Sequence, residues 1–303
     1  MPPSFANGRP WVAMIIAPIL WSSAGVVSRY IERAGRWEIA CLRSLFCAIS
    51  MFLILNVLKP GRVTAVVRQM GRMGIISSVL WALMFTCFML ALTQIPVANV
   101  LILSSLSPLA ASIFAAGLLR ERLNALTCAC IVLGLAGAVI MVAGDFMHEQ
   151  SNPLASFNVA GTIFALIVPF TAALNWTLIK RSGATVDLVP AIMLGAAMSA
   201  LFCFPFAYPF AATSIDVGLL AGLGLFQLAL PCVLCVYAAT KLSPTIIGLL
   251  ALLETFFGPI WVWSFVGERP SNAALLGGTF VMAALLLQSF LPTFLAASRR
   301  IKS

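Results

Sequence analysis

From Ile75 to Leu119 the chain runs for 45 residues without a charged side chain. A soluble helix or strand needs a polar face, whereas about 20 apolar residues suffice for a helix to cross the hydrocarbon core of a bilayer, so this stretch is two spans and a turn. Only 9% of all residues are charged and 62% are hydrophobic, too little polar material to cover a globular surface. The chain is therefore a polytopic membrane protein, and because its apolar runs lack the two-residue alternation of barrel strands, the spans are helices. Ten are predicted, at about 11–30, 37–58, 73–93, 96–119, 125–144, 157–180, 187–210, 216–240, 244–266 and 272–295. The first is read as an uncleaved helix, since its apolar region continues to Val27 with no small-residue cleavage site behind a short core.

The net charge of +9 is a topology signal rather than a nucleic-acid surface, because the basic residues sit in short loops between apolar runs. With a cytoplasmic N-terminus, thirteen fall inside: Arg9, Lys59, Arg62, Arg68, Arg72, Arg120, Arg122, Lys180, Arg181, Lys241, Arg299, Arg300 and Lys302. Four (Arg29, Arg33, Arg36, Arg269) fall outside, and Arg43 lies within the second span. Both termini are thus expected in the cytoplasm. The eight cysteines all fall in predicted spans, where a thiol packs as a small apolar group, and Cys232 and Cys235 are assigned to packing rather than to a redox or metal site. Asp145, His148 and Glu149 share the loop between the fifth and sixth spans and are expected to be solvated, with no metal.

Two stretches answer each other across the chain. Gln94 to Arg122 carries Pro96, Leu106-Ser107-Pro108 and Glu121-Arg122, while Lys241 to Arg269 carries Pro244, Leu253-Glu254-Thr255 and Glu268-Arg269. Pro18 and Arg29 in the first span are matched by Pro169 and Lys180 in the sixth. Five spans per half bring the second copy into the membrane from the opposite side. The expected fold is an all-α integral membrane protein whose ten transmembrane helices form two inverted five-helix repeats (5+5) around a central cavity. The first repeat is 1–144, the outer connecting loop 145–156 and the second repeat 157–303.

Polar groups at mid-depth are costly in hydrocarbon and should face the bundle interior. Trp21, Ser22, Trp81, Phe85, Asn99, Phe170, Asn175, Trp176, Gln227 and Tyr237 are expected to outline a cavity for an amphiphilic or flat organic solute rather than a bare ion. Trp11, Trp37, Trp261 and Trp263, nearer the span ends, suit the interfacial belt. Pro18, Pro108, Pro169, Pro231 and Pro259 each remove a backbone hydrogen bond inside a span and are candidate hinges, static curvature being the other reading. Glu254, central in the ninth span, is either a coupling group or a structural charge, for which Arg43 is the one base lying well inside a span. Its counterpart in the first half is Ser107.

Trp21-Ser22-Ser23, Arg43, Ala91-Leu92, Ser107-Pro108 to Glu121-Arg122, Gly134 to Gly137, and Leu253-Glu254 to Gly267-Glu268-Arg269 together resemble the ten-helix EamA-type exporters of the drug/metabolite transporter superfamily. The chain is similar to the YddG-type amino-acid exporters among them, departing at Thr255, where the pattern has proline. The resemblance implies a basket-like bundle that exports small metabolites, with aromatic or other neutral amino acids as first choice and other metabolites or drugs as the alternative. An integral inner-membrane location, no cofactor, and a small-molecule substrate and the lipid bilayer as partners follow, and a monomer is compatible with the sequence. An intramembrane enzyme is disfavoured because no predicted span holds a histidine, an aspartate pair or a metal-ligand cluster. A passive facilitator of the same solutes stays open.

Overall fold

The computed structural model describes residues 10–118, 125–151, 158–182, 187–239, 242 and 244–301. Among these the regular structure is helical throughout: α1 (Pro10–Arg29), α2 (Arg36–Leu58), a short α3 (Val63–Gln69), α4 (Gly71–Leu92), α5 (Val97–Ser104), α6 (Ser107–Leu118), α7 (Ala125–Ser151), α8 (Val159–Ser182), α9 (Val189–Ala207), α10 (Ser214–Gly222), a π-helical segment (Leu223–Ala229), α11 (Leu230–Ala239), α12 (Pro244–Val266) and α13 (Asn272–Ile301). Among the described residues eight stretches are long and apolar enough to cross a membrane, and Leu250–Val266 and Asn272–Gln288 are shorter apolar helices. The helix α7 continues seven residues past the span end expected at 144. Glu121 and Arg122, the first copy of the corner motif, lie outside the described residues.

One predicted helix is interrupted and another changes its hydrogen-bond register, and proline explains both. Pro108 was expected inside the fourth span, but it is the second residue of α6, where a missing N–H costs little. It cannot donate to the carbonyl of Ser104, and the Ser107 hydroxyl donates there instead at 2.6 Å. Pro231 likewise is the second residue of α11 and leaves the carbonyl of Gln227 without its i+4 donor. The chain ahead of it widens into the π segment, which ends with the Leu230 N–H bonded to the carbonyl of Leu225, five residues back. Pro18, Pro169 and Pro259 do lie inside continuous helices.

The helices pack in matched couples. Contacts join α1 to α12 and α6 to α8, α4 to α8 and α11 to α1, α4 to α9 and the π segment to α2, while α2 meets α9 and α7 meets α13. Gly137 and Gly277 lie back to back where α7 crosses α13, each too close to the other's carbonyl oxygen for a side chain.

One end of the bundle is tied together by carboxylates that take up backbone N–H groups. The Glu268 carboxylate accepts from the N–H of Val97, the first residue of α5, at 2.7 Å and from Arg29 Nε at 2.8 Å. Arg29 also donates to the carbonyls of Leu92 (2.6 Å) and Ile95 (3.3 Å), so α1, α4, α5 and α12 meet at one point. Gly267, at φ +77°, makes the turn that ends α12, a conformation in which glycine carries no steric penalty. Glu38 accepts from the N–H groups of Ala211 and Ala212, and Asp216 from those of Thr213, Glu32 and Arg33. Removing such a cap costs about 1 kcal/mol or more. Glu268→Ala is expected to destabilise the protein by about 1–2 kcal/mol and lower its unfolding temperature in detergent, whereas Glu268→Gln, which can still accept from Val97, loses less.

Candidate functional site

The helical spacing of Ser77, Trp81 and Phe85 places all three on one face of α4, and that face looks into the bundle. The Trp81 ring lies edge-on to Trp176 of α8 with centroids 6.1 Å apart, and 5.2 Å from Phe85. Trp21 of α1 packs with this group. Trp21 and Trp176 also pack on Met14, Cys235 and Ala238, a small core that Leu250 and Ala251 of α12 share. Close approach of α9 behind it depends on Gly195, where a Cβ would run into Trp81 and the carbonyl of Ser78.

Polar groups border the rings in satisfied pairs. The Ser77 hydroxyl donates to Asn175 Oδ1 at 2.7 Å, with both residues buried. Gln227, carried by the π segment, accepts from Arg43 at 3.0 Å and donates to the Trp21 carbonyl at 3.5 Å. The second Arg43 nitrogen donates to the Phe85 carbonyl at 3.0 Å, and its guanidinium stands over the Phe88 ring at 5.9 Å. Arg43 is fully buried, and its Nε has no partner among the described residues. A hydroxyl chain, Ser44 to Ser199 to Thr86, lies beside it and ties α2, α9 and α4. Gly224 permits this arrangement by letting the π segment press on the α2 backbone at Arg43 and Cys47.

The structure thus brings together Trp21, Trp81, Phe85, Asn175, Trp176 and Gln227. Phe170 stands apart on the outside of α8, 47% exposed. Asn99 is buried in α5 and Tyr237 partly buried in α11. Ser22 is 1% exposed and its hydroxyl is already engaged: it donates to the Ile19 carbonyl and accepts from Trp261 Nε1 at 3.1 Å. Trp261 therefore turns inward to α1, not outward into the interfacial belt. Spacing overlooked Ser77, although its place four residues before Trp81 was the available signal, and it overlooked Thr86 and Ser199, which only the packing of three helices reveals.

Glu254 does not pair with Arg43, which is held by Gln227 and Phe85. On α12 the exposed residues Phe256, Ile260 and Trp263 mark one side, and Glu254 lies on the opposite side with Gly258 and Trp261. Gly258 packs on Leu101 of α5. No hydrogen bond or ion pair joins Glu254 to a described residue. Among the described residues, no three His, Cys, Asp or Glu side chains stand close enough to hold a metal.

Within the cluster Trp81, Phe85, Asn175 and Gln227 are all at or below 4% exposure, while Trp21 and Trp176 are partly exposed. A surface depression of about 380 Å³ at the start of α2, lined by Arg33, Arg36, Trp37 and Tyr208 among others, is separate from it. What the cluster offers chemically is flat aromatic surface with amide and hydroxyl groups at its margin. Arg43→Ala removes the donor to both Gln227 and Phe85, and is expected to cost about 2–3 kcal/mol, read as a lower unfolding temperature and reduced yield from detergent extracts.

Comparison with known proteins places these features. The profile of the EamA-like transporter family matches residues 9–143 and again 159–290. The chain is 27% identical over 257 residues to the pseudopaline exporter CntI of Pseudomonas aeruginosa, from strains UCBPP-PA14 and PAO1, covering 83% of this chain and 85% of the relative. A solved crystal structure superposes with a TM-score of 0.66 at 17% identity over 97% of this chain and 99% of that one, a likeness of fold.

Proposed function

The chain belongs to the EamA-like transporter family, and from that premise we propose that it exports small organic metabolites, first among them aromatic or other neutral amino acids, by alternating access. The observation that carries the reading is the Trp81–Trp176–Phe85 cluster with Ser77, Asn175 and Gln227 at its margin. Such a surface suits a flat solute with a few hydrogen-bonding groups better than a hydrated ion. Access to it from either side alternates as two inverted five-helix halves tilt past each other. Support for that 5+5 plan comes from the paired family match and from the matched couples of helix contacts. Hinges at Pro18, Pro169 and Pro259, at the interruption before Pro108 and at the π segment before Pro231 accommodate the tilt. The basic-residue bias supports cytoplasmic termini in a plasma (inner) membrane.

A second reading, export of another metabolite class or a drug, is favoured by the 27% identity to a pseudopaline exporter. Reconstituted liposomes loaded with radiolabelled amino acids, pseudopaline or cationic drugs, with and without imposed ion gradients, separate these and a passive facilitator. Trp81→Ala and Trp176→Ala are each expected to reduce efflux of the preferred solute about tenfold while the protein still elutes as a folded species. Undiminished efflux in both removes the aromatic cluster from the solute path.

A further inference from the structure

We propose that Glu254, with the Ser104 hydroxyl, forms a subsite for a positively charged nitrogen, the ammonium group of the transported solute. The inference rests on reading the aromatic cluster as the solute site and assigns a charge to what that site accepts.

Position comes first. Leu250 and Ala251 pack on the same Met14, Cys235 and Ala238 core as Trp21 and Trp176, and Glu254 follows them by four and three residues, one helical turn along the same face of α12. Glu254 therefore lies one turn beyond the core that the rings share with α12, on the side away from the exposed stripe. Helix register then brings a second polar group to its level. The start of α5 meets the end of α12 through Val97 and Glu268, and Leu101 packs on Gly258, so the two helices run antiparallel and Ser104 comes level with Glu254. The Ser104 hydroxyl oxygen is buried and has no partner among the described residues.

Two groups without a partner among the described residues thus lie at one depth near the aromatic cluster. Glu254 is partly buried, a carboxylate withdrawn from water is costly unless paired, and among the described residues the neighbouring elements bring no cation to its level. Arg29 of α1 is at the far end, bound to Glu268, and α5 carries no ionisable side chain. The elements α11 and α13 contribute Cys232, Cys235 and Tyr237, and Arg299 and Arg300 in the last turn of α13, well past that level. Arg43 is engaged elsewhere. A carboxylate beside tryptophan faces is the combination that recognises an organic ammonium, by charge and by attraction to the rings.

The test uses the full chain in liposomes with three solutes that share a phenyl ring: phenylalanine, phenethylamine and 3-phenylpropionate, the last lacking the nitrogen. Wild type is expected to prefer the first two. Glu254→Gln should raise KM for both by roughly ten- to hundredfold with no change for 3-phenylpropionate, and Glu254→Asp should recover part of the loss. Should Glu254→Gln fail to fold by size-exclusion chromatography, Ser104→Ala carries the same test, with KM raised for the ammonium solutes alone. Unchanged KM for those solutes overturns the subsite, and so does a variant that loses only its response to an imposed pH gradient, which marks Glu254 as a proton site. Preference of the wild type for 3-phenylpropionate overturns the subsite while leaving aromatic transport standing. A wild type that moves none of the three overturns both readings.

Discussion

In hydrocarbon a backbone N–H or carbonyl has no water to turn to, and the architecture follows from meeting that demand. Helices meet it within themselves, but their ends and prolines do not. At one end of the bundle three carboxylates, Glu38, Asp216 and Glu268, each accept from backbone N–H groups of a segment distant in sequence. A cap that in a soluble protein would close its own helix here also fixes the neighbour. Inside the bundle the Ser107 hydroxyl serves the carbonyl that Pro108 deserts, and the π segment absorbs the gap that Pro231 opens. Against this background an acid with no described partner, Glu254, stands out.

The interior charges are handled asymmetrically. Arg43 is enclosed by Gln227, the Phe85 carbonyl and the Phe88 ring, which ties α2 to the π segment and to α4 around the aromatic cluster. Because Gln227 also reaches the backbone of Trp21, motion of α1 against α4 is felt at Arg43 through a single side chain. The aromatic cluster and the contact between α1 and α4 are thus mechanically the same object. Such coupling requires two arrangements of packed residues rather than gradual deformation.

Much of the architecture was legible in advance, because hydropathy states where a chain enters lipid and the corner motif states where it turns. Gly267-Glu268 ends α12 as its residue types demand, with glycine in the left-handed turn. What Glu268 binds was not legible: Arg29 and Val97 lie 239 and 171 residues away, and no local pattern encodes such a contact. The aromatic and amide residues were found by their cost in hydrocarbon, and six of them do assemble. Phe170 was drawn in by the same rule, which cannot tell a lipid-facing ring from an interior one; its face of α8 could. Trp261 illustrates the reverse, a ring near a span end whose N–H finds Ser22 instead of the headgroups. The π segment escaped notice because a one-residue change in hydrogen-bond register leaves no trace in composition.

The back-to-back glycines of α7 and α13 bear on how the protein is made. Helix α7 ends at Ser151 and α13 begins at Asn272, so a ribosome must add about 120 further residues before the partner exists. At roughly 5–20 residues per second that interval is on the order of ten seconds. Throughout it, the flat glycine stripe of α7 lacks the α13 surface it packs on and faces lipid or whatever insertion machinery shelters it. Completion of the bundle thus waits on the last helix to emerge, and a nascent chain truncated before α13 exposes a surface shaped to receive a helix that never arrives.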